Sequence, residues 1–140
     1  MPETEKIIGE IASGPEFLKW IGLNYAGEST FGDSEVVEFS MKRSGSSILT
    51  LWVEQLSSRG AKKAWVHFYL KDMIDVSIEG FLHQNVIGGL EIKRAELGYV
   101  HPSLLGYGAI SPDHHIILEP CAGAFGSIKA TIERIEFQEI

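Results

Sequence analysis

The chain is poor in the residue types that most directly announce a chemistry. It has one cysteine, Cys121. That excludes an internal disulfide framework and a zinc site built from several thiolates. With no activating cation beside it in sequence, Cys121 reads as a small buried thiol. A reducing, cytoplasmic location is the expectation. No apolar run approaches the ~18 residues a membrane-spanning helix needs. The opening MPETEKIIGE carries acids where a secretory signal has a basic start and a long apolar stretch. No membrane partner is expected.

Basic residues are also scarce. Twelve Lys and Arg stand against 19 Asp and Glu, a net charge of −7. Such a surface repels phosphate backbones, so no direct nucleic-acid ligand is expected. It also steers basic partners. Phosphate-cradling loops are missing: the glycines at 88–89 and 106–108 have no following helix and no Lys-Ser/Thr pair. Five histidines are present, His67, His83, His101, His114 and His115, without converging metal-ligand spacing. His114 and His115, adjacent on a strand, point to opposite faces. Neither a metal nor a cofactor is expected. One carboxylate pair, Asp33 and Glu35, falls at i, i+2, where a strand puts both on one face. General acid–base work would further require an apolar pocket around one of them. A solvated acidic rim is the simpler reading.

Alternating hydrophobicity is plentiful. Apolar residues make up 44% of 140 residues, enough for one domain, 1–140, with a real core. Residues 1–22 read as a helical segment: Ile7, Ile8 and Ile11 at helical spacing, then a capping box at Ser13-Gly14-Pro15-Glu16 before Phe17, Leu18, Trp20 and Ile21. The β core is expected over 35–137. Val37, Phe39 and Met41 form the inward face of its first strand. Residues 44–47 turn the chain, and Leu49, Leu51 and Val53 return on the second strand, with Trp52 on the opposite face. Leu56 to Lys63 reads as a basic loop. From Ala64 to Lys71, Val66, Phe68 and Leu70 alternate with Trp65, His67 and Tyr69, so both faces are bulky.

Lys71-Asp72 reads as a tight turn into a separate strand, Met73–Glu79. From Met73 to Leu90 the pattern is strand, corner anchored by Phe81, and second apolar run from Val86. Gly88-Gly89 marks a bulge or a close backbone approach. Residues 97–113 form the longest irregular stretch, with Tyr99 and Tyr107, and a small-ligand pocket beneath it is one reading of the chain. His115–Glu119 is a strand. The last strand, 127–137, changes parity: Ile128, Ala130 and Ile132 share one face, Ile135 and Phe137 the other. A bulge near Glu133-Arg134 reconciles them. The sum is a mainly β protein of about seven strands with one or two short N-terminal helices, an antiparallel sandwich or a strongly curved sheet.

Two segments, Phe31-Gly32-Asp33-Ser34-Glu35-Val36 and Glu79-Gly80-Phe81-Leu82-His83-Gln84-Asn85-Val86-Ile87-Gly88-Gly89-Leu90, resemble those of the immunity protein 50 family of bacterial polymorphic toxin systems. The resemblance runs from about Phe17 to Phe137. Where that pattern often has histidine, this chain has Gly32, so a His-Asp-x-Glu constellation is not carried over. The resemblance implies a cytoplasmic antidote that binds a cognate toxin domain without catalysis, and the acidic charge would speed encounter with a basic one. Interface composition then makes Asp33, Glu35, Trp52, Tyr99 and Tyr107 the candidate toxin-binding residues. An unpaired sheet edge leaves a homodimer open.

Overall fold

The computed structural model describes residues 3–21, 31–42, 45–57, 60–96 and 111–140, without the side chains of 55–57 and 60–62. Two short helices, α1 (Glu3–Ile8) and α2 (Gly14–Ile21), precede six strands: β1 (Glu35–Ser40), β2 (Ser47–Ser57), β3 (Gly60–Glu79), β4 (Gly89–Arg94), β5 (His114–Glu119) and β6 (Phe125–Glu139). All six form one antiparallel sheet in the order β1-β2-β3-β6-β5-β4. The second layer is helical, so the curved sheet, and not the sandwich, is the architecture.

Period-two patterning explains which face is buried. Leu49, Leu51 and Val53 of β2, Val66, Phe68 and Leu70 of β3, Ile116 and Leu118 of β5, and Ile128, Ala130 and Ile135 of β6 are all buried. Onto them the helices lay Ile7, Ile8, Phe17, Leu18 and Ile21. Phe17 stacks on Phe31, centroids 5.7 Å apart, and Phe31 meets Phe68 at 5.9 Å. The corner between the helices is tight. Gly14 N–H donates to Ile11 O at 2.8 Å, and a Cβ on Gly14 would sit 1.7 Å from Ile8 O. Only glycine fits there. Ser13 stands at φ 64°, outside the extended N-cap conformation, so the expected capping box does not form.

Curvature brings the ends of the sheet together. Val86 bridges Glu35 on one side and Ala122 on the other. Val36 N–H donates to Asn85 O (2.8 Å) and Ile87 N–H to Ser34 O (2.9 Å), while Val86 N–H donates to Ala122 O (2.7 Å). This three-residue stitch ties the start of β1 to the β5–β6 turn. The Asn85 side chain locks it: Oδ1 accepts from Leu82 N–H (2.8 Å) and Ala124 N–H (3.0 Å), and Nδ2 donates to Leu82 O (2.9 Å).

Several expectations are corrected. Lys71-Asp72 is no turn: β3 runs unbroken through it for 20 residues. Asp72 (φ 50°) and Asp75 (φ 49°) take left-handed conformations and shift the β3–β6 register at Lys71/Ile74 and Ile74/Ser77. Aspartate tolerates that region better than most residues, so two bulges replace a turn and the strand count falls to six. Met73–Leu90 is not a paired unit either, because β3 pairs with β6 and β4 with β5. Phe81 is no buried anchor; it is 56% exposed. In β1 a register shift between Val36 and Glu38 turns Val37 outward, and Met41 beyond the strand is exposed as well. Leu56, Ser57 and Gly60–Lys63 belong to the β2–β3 ladder and not to a basic loop, with Leu56 opposite Ala61; residues 58–59 of the expected loop lie outside the described residues. Cys121 is exposed, on the turn that Val86 pins. The bulge in β6 is present: Tyr69 faces Arg134 and Leu70 faces Ile132, so Glu133 is skipped. Gly88 packs closely, a Cβ there lying 3.0 Å from Pro120 O.

Candidate functional site: an aromatic sheet face

Both helices bury their apolar residues in the core on one side of the sheet. The opposite faces of β2, β3 and β6 carry the alternate residues, and the register sets them in rows across the strands. Glu35, Trp52, Trp65 and Gln138 form the first row. Glu38, Thr50, His67 and Glu136 form the second, and Ser40, Ile48, Tyr69 and Arg134 the third. Trp65 is 37% exposed; Trp52, His67 and Tyr69 are half-buried by their neighbours. Apolar faces of this kind are ordinarily covered by a second layer or used for binding.

The side chains of this face hold one another in place. The Arg134 guanidinium carbon lies 3.8 Å from the Tyr69 ring centroid. Arg134 Nε–H donates to Glu136 Oε1 at 3.0 Å, and the Tyr69 hydroxyl donates to Glu136 Oε2 at 2.9 Å. Electrostatics follow the geometry. Hydrogen bonds from Arg134 and then Tyr69 hold the Glu136 carboxyl below its ordinary range. The bond to Glu136, with desolvation, pushes the Tyr69 phenol up. Thr50 Oγ1 and His67 Nδ1 lie 2.8 Å apart, and Lys63 Nζ sits 5.7 Å from the Trp52 ring centroid. These contacts fix rotamers before any partner arrives, and that lowers the entropy cost of binding.

Of the residues singled out from sequence, the structure brings Glu35 and Trp52 together as direct cross-strand partners. Asp33 does not join them by strand geometry. It precedes β1 in a left-handed conformation, φ 60°, with its N–H donating to Ile87 O at 3.1 Å. The i, i+2 argument for a shared face therefore fails for Asp33 and Glu35. Tyr99 and Tyr107 lie outside the described residues. Trp65, Tyr69, Arg134 and Glu136 were missed. The signal for the first two was in plain view: bulky residues of both parities on one strand, one parity of which faces outward.

A second feature lies elsewhere. Residues 94–96 and 111–114, on either side of the segment 97–110 that lies outside the described residues, border a cleft of ≈ 500 Å³ completed by Glu10–Ala12 and Thr131–Glu133. Among the described residues no three His, Cys, Asp or Glu side chains converge as metal ligands, and no helix is long and apolar enough to cross a membrane.

The fold and this face define a class: a curved antiparallel β scaffold with a preorganised aromatic surface. Comparison with protein-family models, with curated proteins and with solved structures finds no match to this chain.

Proposed function

We propose that this chain is an immunity protein that binds a cognate bacterial toxin domain through the outer face of β2, β3 and β6 and blocks it without turnover of its own. One observation carries the reading: an exposed sheet face bears Trp52, Trp65 and Tyr69, with Arg134 and Glu136 already locked in position. Tryptophan, tyrosine and arginine are the residues that dominate binding energy at protein interfaces. The sequence resemblance at 31–36 and 79–90 points the same way. Glu35, Glu38 and Glu54, on the outer side of β1 and β2, give the face an acidic margin. With the net charge of −7, that margin favours a basic toxin surface and speeds encounter. The toxin acts in the cytoplasm, where the antidote would also reside. Self-pairing along β1 is disfavoured, because the strand is short and bulged at Val37.

The test is co-expression with the toxin encoded beside this gene. Growth restored by the wild-type chain, and lost when Trp52 and Trp65 are both changed to alanine in a protein that still folds, supports the reading. Failure of the wild-type chain to restore growth or to bind the toxin overturns it.

A further inference from the structure

The corner after β3 sets two large apolar side chains in solvent. Phe81 is 56% and Leu82 61% exposed. Single exposed apolar residues are ordinary. Two in succession at a corner, where glycine, asparagine, aspartate, serine or proline usually stands, do not follow from the needs of the fold. Nor is the corner loose. The Asn85 side chain binds both the N–H and the O of Leu82, at 2.8 and 2.9 Å. Gly80 (φ 80°) and Gly123 (φ 99°) let the corner lie flush on the β5–β6 turn. A Cβ on Gly80 would come within 2.9 Å of Gly123 O, and one on Gly123 within 2.6 Å of Asn85 Oδ1. Phe81 and Leu82 are therefore carried on a fixed backbone, and that lowers the entropy cost of inserting them into a partner.

The corner adjoins the aromatic face. Residues directly opposed on antiparallel strands share a face. Trp65 opposes Trp52, Trp52 opposes Glu35, Glu35 opposes Val86, and Val86 opposes Ala122. The row of the two tryptophans thus continues across the stitch and passes beside Asn85, the residue that holds Leu82. The charge around the corner has one sign. Asp33 N–H donates to Ile87 O, Glu35 lies opposite Val86, Glu79 precedes Gly80, and Glu119 pairs with Gly89. Residues 31–41, 79–92 and 117–128 contain no lysine or arginine. None of these four carboxylates forms an ion pair among the described residues.

We infer that Phe81 and Leu82 are a second anchor for the toxin domain, entering an apolar pocket on it that is rimmed by lysine or arginine. The inference rests on the toxin-binding reading and extends that surface from β2, β3 and β6 across the stitch to the corner. The carboxylates around the corner oppose an anionic lipid surface and match a basic protein rim. Both anchor side chains are more than half exposed, so their loss falls on binding and not on the core.

The experiment measures affinity and association rate of the full chain with the cognate toxin domain that the proposed function requires. The double variant Phe81→Ser/Leu82→Ser should keep the parental melting temperature and weaken the complex at least about tenfold. Glu79→Lys/Glu119→Lys should slow association severalfold at low salt, with the difference shrinking at high salt. A wild-type chain that does not bind the toxin domain overturns the toxin-binding reading and this inference with it. Binding that Trp65→Ala weakens, but that the folded Phe81→Ser/Leu82→Ser variant retains in full, leaves that reading standing and overturns the second anchor. Unchanged association of the charge-reversed variant overturns the basic rim. Should the serine variant not fold, amide NMR of the wild-type chain decides: toxin-dependent shifts at residues 80–86 are expected, and their absence overturns the inference.

Discussion

Arg134 lies flat over Tyr69, 3.8 Å from guanidinium carbon to ring centroid, while Glu136 binds the other ends of both. The Glu133 bulge makes this possible. Without it Arg134 would share the buried parity of Ile132, and the guanidinium would point into the core. A single extra residue in β6 thus keeps Ile132 and Ile135 inside and sets a charged, aromatic triad outside.

The triad predicts a titration. Tyr69 ionises above the ordinary phenol value of 10.0 because its hydroxyl is bonded to an anionic carboxylate. Glu136→Gln removes that charge, and the Tyr69 transition, followed by ring NMR shifts, should move back down. A transition already at 10.0 in the wild type contradicts the hydrogen bond. Arg134 and Glu136 are exposed enough that losing either charge should leave the melting temperature close to that of the parent.

Stability should depend on pH in a window set by histidines. Burial pushes His114 below its ordinary value of 6.5, with Asp113 opposing in part. Burial, then Lys129 and Lys93, depresses His115. On acidification the unfolded chain therefore takes up protons before the folded one does. The stabilisation is complete above about 6.5, falls as pH drops below it, and levels off under the folded-state values. Thermal melts between pH 8 and 5 should show that decline, shallower in His115→Gln. A flat profile across that range contradicts the burial.

The stitch should be measurable residue by residue. Asn85→Ala removes the bonds to Leu82 N, Leu82 O and Ala124 N. At about 1 kcal/mol for each bond lost, the cost is roughly 2–3 kcal/mol. Amide exchange should accelerate first at Leu82, Val86 and Ala124 while the β3–β6 ladder stays protected. Uniform acceleration instead would mean that the stitch is not a separate unit.

Much of this architecture was legible in the chain. Alternation assigned the inner faces of β2 and β5, and the parity change between Ile132 and Ile135 located the bulge. The failures have one cause. Asp72 and Asp75 adopt left-handed conformations inside a strand held by β6, a partner more than fifty residues away, and aspartate reads locally as a turn residue. The Val37 bulge and the Ser34–Ile87 pairing are likewise set by distant segments. Periodicity showed two bulky faces on β3 but not which one the helices would cover. Trp65 and Tyr69 were visible as residues and not as a site.

Core packing gives a further expectation. Phe68 is fully buried and meets Phe31 at 5.9 Å beneath the helices. Phe68→Ala should cost about 3–5 kcal/mol, a large share of the roughly 5–15 kcal/mol that holds a domain together. Urea denaturation reads it directly. A loss under about 1 kcal/mol would place Phe68 outside the core.

The proposed binding face is tested most directly by calorimetry of the purified chain with the cognate toxin domain that the proposed function requires. Trp65→Ala, with a melting temperature near that of the parent, should weaken the complex at least about thirtyfold, the loss of a central aromatic anchor. Parental affinity in that folded variant, and again in Trp52→Ala, would contradict the assignment of this face to the toxin.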